Sequence, residues 1–341
     1  MANVTIKILA KELGLSTAAI SKALHDSHEI SVATKQRVLA LAKELNYIPN
    51  PYASSLRHRK SNTLAVVLPD VTDSFFSEAI NGIESVAIEK DFHVLLYLTH
   101  ERAQREEAIL KEFQSGRVDG ILMSISSETT NFDSISGIFS KNMPIVFFDR
   151  ICEQINTAKI ITDDFESSYI ATSHLIEQGC EKITFLSNSD SLLITKNRKE
   201  GALKACCENG IEKTFLHLML DCYANKFDYE KMEELLTSEQ RPDGIICCIE
   251  KFTPNVYTVC RELGLSIPKD IKILSFSNLN AAGILNPSLT TITQPAFEMG
   301  KVAATILIKS IQKKSFHLID ETIILPSTLH TRESTRLWIN D

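Results

Sequence analysis

The sequence lacks any apolar run that approaches the roughly 18 residues needed to cross a bilayer. Its first residues, MANVTIKILAKEL, also lack the apolar core and the cleavage site of a secretory signal peptide. These absences predict a cytoplasmic protein with no membrane partner. Apolar residues make up 44% of the 341-residue chain, which is enough to bury the cores of about two or three domains.

Motifs that hold cofactors, phosphates or metals are also missing. The sequence contains no G-x-G, no G-x-x-x-x-G-K-[ST], no G-x-S-x-G and no H-E-x-x-H. Its eight cysteines show no C-x-x-C and no cysteine–histidine metal spacing, and most lie in apolar runs such as GIICCI. We therefore predict reduced, buried thiols, no metal, no cofactor and no enzyme activity.

Charge is unevenly distributed along the chain. Residues 1–60 hold nine lysines and arginines against four acids, a net charge of +5, whereas the whole chain carries −7. The remaining residues therefore carry −12. A small basic segment joined to a large acidic body predicts that the segment binds a polyanion and that the body does not. A merely solvated surface would show the same charge, so the pattern within the segment has to decide.

Residues 1–48 contain the start and stop signals of three short helices. Thr5 and Ser16 can cap the first two helices, Gly14 ends the first, and a third helix begins near Ser31. Two helices separated by a short turn with glycine, followed by a supporting third helix, form a helix-turn-helix unit. The residues predicted to be buried between the helices are Ile6, Leu9, Ala10, Leu13, Ile20, Ala23, Leu24, Val38, Leu41, Ala42 and Leu45.

The second predicted helix has an outer face of short polar side chains, Thr17, Ala18, Ser21 and Lys22. In a helix-turn-helix unit this helix lies in the major groove with its N-terminal residues against base edges. Ala18 or the Thr17 methyl can contact a thymine methyl, while Ser21 and Lys22 can bind base edges or phosphates. We therefore assign residues 1–48 to a DNA-binding domain. The alternative is a structural three-helix bundle with a polar outer face.

The sequence from residue 4 to residue 69 resembles the DNA-binding head and hinge of the lactose-repressor (LacI/GalR) family of bacterial transcription regulators. The helix-turn-helix, the segment LNYIPN, the A-x-x-L of the hinge and the strand SNTLAVVLP follow one another in the family's order. Lys22 stands where the family commonly has arginine. Since arginine can grip guanine with two donors and lysine is a point charge, the operator bases are expected to differ.

Residues 49–61 are predicted to form a hinge helix. Asn50 can cap it and Pro51 suits its first position, but so short a helix is not stable alone in water. We expect it to fold on DNA. The resemblance implies that Leu56 wedges into the minor groove, that Ala53 lies where two hinge helices cross, and that Arg57 lies near phosphates. A flexible basic linker is the alternative. The full set assigned to DNA binding is Thr5, Ser16, Thr17, Ala18, Ser21, Lys22, Asn50, Ala53, Leu56 and Arg57.

Residues 62–341 change to alternating strands and helices. One series of predicted strands covers 63–69, 92–98, 118–125 and 143–149, and a second covers 159–164, 182–188, 215–220, 243–249 and 271–277. Their continuous apolar runs are typical of parallel sheets covered on both faces. We predict two doubly wound α/β subdomains with a ligand cleft at the carboxyl ends of the strands. The subdomains are placed at about 62–160 plus 292–320, and about 161–291 plus 321–341.

The resemblance extends over this body, through segments such as PIVFFDR, NRKEGALKA and NPSLTTITQPAFEMGKVAA. It implies a periplasmic-binding-protein-like fold (type I) that dimerises and binds a sugar or related metabolite. Ile249-Glu250 and Ser277-Asn278 stand where the family often has Asn-Asp and Asp-Asp, so the effector is expected to be unusual or the effector response weakened. The positions assigned to effector binding are Phe75, Asp149, Arg198, Glu250, Ser277 and Gln294.

Together these patterns predict a homodimeric, sequence-specific transcription regulator, a repressor, that binds a pseudopalindromic operator. A small-molecule effector between the two subdomains is expected to control it. A different hypothesis is a nonspecific, architectural DNA-binding dimer with a vestigial ligand pocket. An enzyme with an appended DNA-binding head is a third, and no motif supports it.

Overall fold

The computed structural model describes residues 4–47, 61–114, 116–220, 227–313 and 315–336. The chain folds as two compact units, Met1–Ser61 and Asn62–Asp341, each with its own apolar core. We call them the head and the body. None of the helices in the described ranges combines the length and apolarity of a membrane span.

The head contains three helices, α1 (Ile6–Leu13), α2 (Thr17–Leu24) and α3 (Val32–Glu44). The predicted caps are in place: Ser16 Oγ accepts a bond from the N–H of Ala19 at 3.1 Å, and Gly14 ends α1 with φ 67°. Thr5 occupies the N-cap position of α1, although its side chain makes no capping bond. Leu9, Ile20 and Val38 are completely buried between the helices, as the apolar spacing predicted.

The body contains two six-stranded sheets. The first sheet has the order β11-β5-β4-β3-β1-β2 and is parallel throughout. Leu64 and Val66 of β1 face one apolar cluster and Ala65 and Val67 face another, so helices cover both sides. The bounds are β1 (Thr63–Leu68), β2 (His93–Leu98), β3 (Gly120–Met123), β4 (Ile145–Phe148), β5 (Lys159–Thr162) and β11 (Thr322–Leu325).

The second sheet has the order β12-β10-β9-β8-β6-β7 and is parallel except for β12. Its strands β8 and β9 are buried along almost their whole length. The bounds are β6 (Ile183–Ser187), β7 (Leu216–Met219), β8 (Gly244–Cys247), β9 (Lys272–Phe276), β10 (Thr290–Thr293) and β12 (Thr328–His330). The two predicted doubly wound subdomains are confirmed.

Two helix pairs pack so closely that only glycine fits between them. A Cβ on Gly201 would lie 2.1 Å from the carbonyl oxygen of Phe165, and one on Gly82 would lie 2.0 Å from that of Phe297. The body helices are α4 (Ser74–Glu89), α5 (Ala103–Phe113), α6 (Asp133–Phe139), α7 (Asp164–Glu177), α8 (Leu193–Glu208), α9 (Tyr229–Thr237), α10 (Phe252–Glu262) and α11 (Ala296–Gln312). Gly201 lies where α8 packs against α7, and Gly82 lies where α4 packs against α11.

The nine predicted strands correspond to β1–β9, but the division between the sheets differs from the prediction. The strand at 159–164 was placed in the second series, whereas β5 belongs to the first sheet between β4 and β11. Residues 321–341 were placed in the second subdomain, yet β11 lies in the first sheet and only β12 in the second. Residues 292–320 were predicted to belong to the first subdomain, yet residues 292–293 end β10 of the second sheet. Hydrophobic patterns identify buried strands, whereas the sheet that each strand joins depends on contacts distant in sequence.

The chain crosses between the subdomains at three places: between β5 and α7, between β10 and α11, and between β11 and β12. The strands beside these crossings are neighbours, since β5 pairs with β11 and β10 pairs with β12. The other connections stay within one subdomain.

Six of the seven cysteines in the described ranges are buried thiols, and Cys207 is exposed.

Candidate functional site

The outer face of α2 carries the short polar side chains that the sequence indicated. Thr17 and Ala18 are exposed, and Ser21 and Lys22 are half-buried. Ile20, on the opposite side of the helix, is completely buried. The exposed surface therefore begins at the N-terminus of α2, next to Ser16. Its side chains are short, so a partner can approach the helix backbone closely.

Lys22 has a partner that the sequence pattern did not reveal. Its Nζ bonds the Oε2 of Glu29, which follows the turn after α2, and both side chains remain about half exposed. A second ion pair joins Lys35 of α3 to Asp26 at 2.6 Å. Exposed pairs of this kind contribute about 0–1 kcal/mol, so a phosphate can replace Glu29 at little cost.

Four of the residues assigned to DNA binding, Asn50, Ala53, Leu56 and Arg57, lie outside the described residues. Their roles in the hinge stay predictions.

All six residues assigned to effector binding line one cleft between the two subdomains of the body. The cavity within the cleft is small, about 40 Å³. It lies at the carboxyl ends of the strands, where ligands of doubly wound sheets bind. The remaining lining residues are Asp73, Phe76, Arg150, Asn188, Leu192, Ile194, Thr195, Cys248, Ile249, Phe276 and Asn278.

Arg198 of α8 is held rigidly in the wall of this cleft, with 3% of its surface exposed. Its Nε donates to Asp164 Oδ1 at 2.8 Å, and its Nη1 donates to the carbonyl oxygen of Cys248 at 2.5 Å. The guanidinium carbon lies 3.9 Å from the ring centre of Phe276. Nη2 has no hydrogen-bond partner among the described residues, so a buried, charged donor of the cleft wall is left unsatisfied.

Two carboxyl groups of the wall are acceptors. Burial raises the pKa of Asp149 to about 6 and does the same for Asp73. Asp149 Oδ2 lies 3.8 Å from Arg150 Nε, but Arg150 is closer to the buried Glu101, at 2.6 Å. The arginine therefore neutralises Glu101 first. Ser124 Oγ donates to Asp149 Oδ2 at 3.4 Å, and both aspartates keep further acceptor positions for donors of a ligand.

Phe75 and Phe76 supply an aromatic edge, with their ring centres 5.3 Å apart. Gln294 lies at a crossing between the subdomains, and its Nε2 donates to Thr162 Oγ1 of β5 at 3.4 Å. Ser277 and Glu250 bond to each other, Oγ to Oε2, at 2.6 Å. A ring system with hydroxyl groups could therefore contact aromatic carbon on one side and fixed donors and acceptors on the other.

Sequence reasoning missed several members of the wall. Asp73 and Asn278 follow the predicted strands at 63–69 and 271–277, so the rule that ligands bind at strand ends could have found them. Asp164, which holds Arg198, follows the strand β5 that was assigned to the wrong sheet. No group of three histidine, cysteine or carboxylate side chains in the described ranges is placed to hold a metal ion.

The chain matches two known families. Residues 5–50 match the family described as bacterial regulatory proteins, lacI family, and residues 172–335 match the periplasmic binding protein-like domain. The HTH-type transcriptional regulator RegA of Clostridium saccharobutylicum is 30% identical over 333 residues, which cover 97% of this chain and 99% of RegA. The chain belongs to the LacI family.

Solved structures of LacI-family proteins share the fold. The lac repressor dimer bound to operator and the anti-inducer ONPF matches with a TM-score of 0.83 and 21% identity, covering 98% of this chain and 100% of that one. A LacI-family regulator from Enterococcus faecium with bound ribose matches with a TM-score of 0.72 and 27% identity, covering 81% and 100%. The predicted family and fold are confirmed, and the chain is a DNA-binding transcription regulator.

Asp149→Asn is expected to stabilise this LacI-family protein above pH 6. The folded state keeps the Asp149 proton up to a pKa of about 6, against 3.8 for an unperturbed aspartate. Above pH 6 both states are ionised and the buried charge destabilises the fold. As the pH falls from 6 to 3.8 the folded state binds its proton first, so this penalty disappears.

We expect a gain of about 1–3 kcal/mol at pH 7.5 that vanishes near pH 4, measured by urea denaturation. Asp149 has φ 62°, a conformation that asparagine adopts readily. Asp91 has φ 57° but is exposed, so Asp91→Asn is a matched control in which stability should change little. An equal gain in both variants, or a gain in Asp149→Asn that persists at pH 4, would contradict the role of burial.

Proposed function

We propose that the chain is a repressor that binds a pseudopalindromic operator as a homodimer, in the cytoplasm, where that DNA lies. A hydroxylated, carbohydrate-related effector in the cleft changes its affinity for the operator. The observation that supports effector binding is Arg198, a residue of the cleft wall. Its buried guanidinium is fixed by Asp164 and Phe276, and the NH2 group of Nη2 has no partner among the described residues, in a cleft that is also lined by two carboxyl groups.

Sugar hydroxyls suit this wall because each can donate to one group and accept from another. Asp73 and Asp149 are acceptors and Arg198 Nη2 is a donor, while Phe75 offers a ring face to sugar C–H groups. The Enterococcus faecium regulator, 27% identical, contains bound ribose, which supports a sugar-like ligand. The proposal assigns binding to this cleft and no chemical step.

The proposed binding of operator DNA is supported by the exposed surface of α2. Ser16, Thr17, Ala18 and Ser21 form a shallow polar face, and Lys22 adds a charge beside it. The head as a whole is basic, which favours attraction to phosphates. Two heads related by a two-fold axis would require two half-sites, and hence a symmetric operator.

The test combines selection of duplexes by the full chain with a thermal-shift screen of sugars and sugar acids. We expect a symmetric consensus whose affinity falls steeply with salt, and one compound class that raises the melting temperature and changes operator affinity. Equal affinity for scrambled duplexes would support the architectural dimer and refute the repressor proposal. Turnover of a screened compound would refute the assignment of binding without chemistry.

One variant sharpens the DNA half. Glu29→Gln removes the partner of Lys22 and should strengthen operator binding about two- to tenfold at low salt, because the lysine becomes free for DNA. Glu44→Gln, at the exposed end of α3, removes the same charge from the head without affecting Lys22. If both variants strengthen binding equally in a gel-shift titration, net charge alone is responsible and Lys22 does not contact DNA.

A further inference from the structure

Glu250 contacts both subdomains at once. Its Oε1 accepts from the N–H and the Oγ of Ser74, at 3.1 and 2.7 Å, and Ser74 begins α4 of the first subdomain. Its Oε2 accepts from Ser277 Oγ at 2.6 Å and from the N–H of Asn278 at 3.1 Å, both in the second subdomain. One carboxylate therefore bridges the cleft with four hydrogen bonds.

The neighbours of Glu250 reinforce this bridge. Lys251 Nζ bonds Asp70 Oδ2 at 2.6 Å, and Asn278 Nδ2 bonds Glu78 Oε2 at 2.7 Å. Asp70 and Glu78 flank Ser74 in the first subdomain, before and after the start of α4. The second subdomain thus contacts the start of α4 and the loop before it. We call the bonds of Glu250, Lys251 and Asn278 to this segment the Glu250 clasp.

The opposite rim of the cleft is also closed. Ser191 Oγ donates to the carbonyl oxygen of Ser127 at 2.9 Å, and Leu192 is buried in an apolar cluster of the first subdomain. The two subdomains therefore bond directly to each other across both rims. At the Glu250 rim, four of these bonds go to one side chain.

Glu250 is poorly suited to be a ligand group itself. A carboxylate has about four acceptor positions, and four donors already occupy those of Glu250. The backbone N–H groups of Ser74 and Asn278 cannot rotate away, unlike hydroxyl groups. A bound molecule would have to break bonds to charged oxygen in order to use this carboxylate, and such bonds are the stronger class.

We propose that Glu250 is a positioning residue that holds the effector cleft closed by bonding the two subdomains directly to each other, without contacting the effector itself. The proposal rests on the proposed function only in naming the cleft an effector site. It explains why Glu250 stands at a position where the resembled family often has an aspartate: the longer side chain reaches Ser74 of the other subdomain. Opening the cleft then requires breaking the clasp.

Hydrogen exchange of the full chain, without DNA or effector, tests this inference. Ser74 is the first residue of α4, so its N–H has no partner within the helix and its protection reports directly on Glu250. In Glu250→Gln the amide group cannot accept on both sides, so either Ser74 or Asn278 loses its acceptor. We expect exchange about tenfold faster or more at one of these amides, while the sheet cores keep their protection.

Ser74→Ala provides a second variant that keeps the N–H but removes the hydroxyl, and it should give a smaller increase in exchange. The double variant should exchange these amides no faster than Glu250→Gln alone, because both changes break the same bridge. Glu262→Gln, at the exposed end of α10 in the same subdomain, is the control and should leave exchange unchanged. If neither Ser74 nor Asn278 exchanges faster in Glu250→Gln than in the wild type, or if the two substitutions add independently, the clasp does not exist. These results are independent of whether DNA or a sugar binds.

Discussion

Arg198→Met is expected to lower the free energy of unfolding by about 3–5 kcal/mol at pH 7.5. The substitution leaves the carboxylate of Asp164, 5% exposed, without the cation that it contacts at 2.8 Å. Burial already raises the pKa of Asp164 despite Arg198, so without the arginine its charge is still less favourable. The loss of stability should shrink as the pH falls, because Asp164 then binds a proton. Urea denaturation across a pH series measures both effects.

The double variant Arg198→Met with Asp164→Asn separates stability from binding. Because it removes both buried charges, it should recover most of the stability lost in the single variant. It should not recover effector binding, since the guanidinium of Arg198 is absent from the cleft wall in both variants. A double variant that binds the effector like the wild type would show that Arg198 is structural and would remove the central support of the effector proposal.

Gly201→Ala is expected to destabilise the body by about 3 kcal/mol, an unusually large effect for a single methyl group. The new Cβ would lie 2.1 Å from the carbonyl oxygen of Phe165, and backbone atoms of α7 cannot rotate away as a side chain could. Helices α7 and α8 must therefore separate. Arg198 lies one turn before Gly201 on α8, so effector affinity should fall together with the melting temperature.

Gly137→Ala is the matched control. Gly137 lies in α6 with no atom within 4 Å of the position of a new Cβ. Alanine there should stabilise the protein by about 0.5–1 kcal/mol, because it restricts the unfolded chain and favours the helix. Thermal unfolding of both variants should thus give shifts of opposite sign. A Gly201→Ala protein as stable as the wild type would mean that the helices are not in close contact.

Features that depend on neighbouring residues were predictable from the sequence. Gly14 and Ser16 end and begin helices through their own backbone and hydroxyl groups, so the spacing along the chain located them. The strand β1 was visible because its six residues are all buried. The cleft residues Phe75 and Arg198 were found through the family resemblance, and the fold brings them to one cleft although they are far apart in sequence.

Features that depend on distant partners were not predictable. The Lys22–Glu29 pair forms only after the turn that follows α2 folds back, and β5 lies between β4 and β11, a strand that returns from more than 150 residues later in the chain. Glu250 was identified as a departure from the family, but its use could not be inferred. Its bonds to Ser74 join residues 176 positions apart, and no local pattern records them.

The three crossings between the subdomains restrict how this regulator can move. They leave the first sheet from β5 and β11, which are neighbours, and reach the second beside β10 and β12, which are also neighbours. Three short connections along one edge of the body oppose sliding and twisting of the subdomains against each other. They allow rotation about that edge, which moves the distant rims of the cleft apart. A molecule that binds in the cleft is expected to change the angle between the subdomains, and Gln294, bonded to Thr162 beside these crossings, lies close to the axis of that rotation.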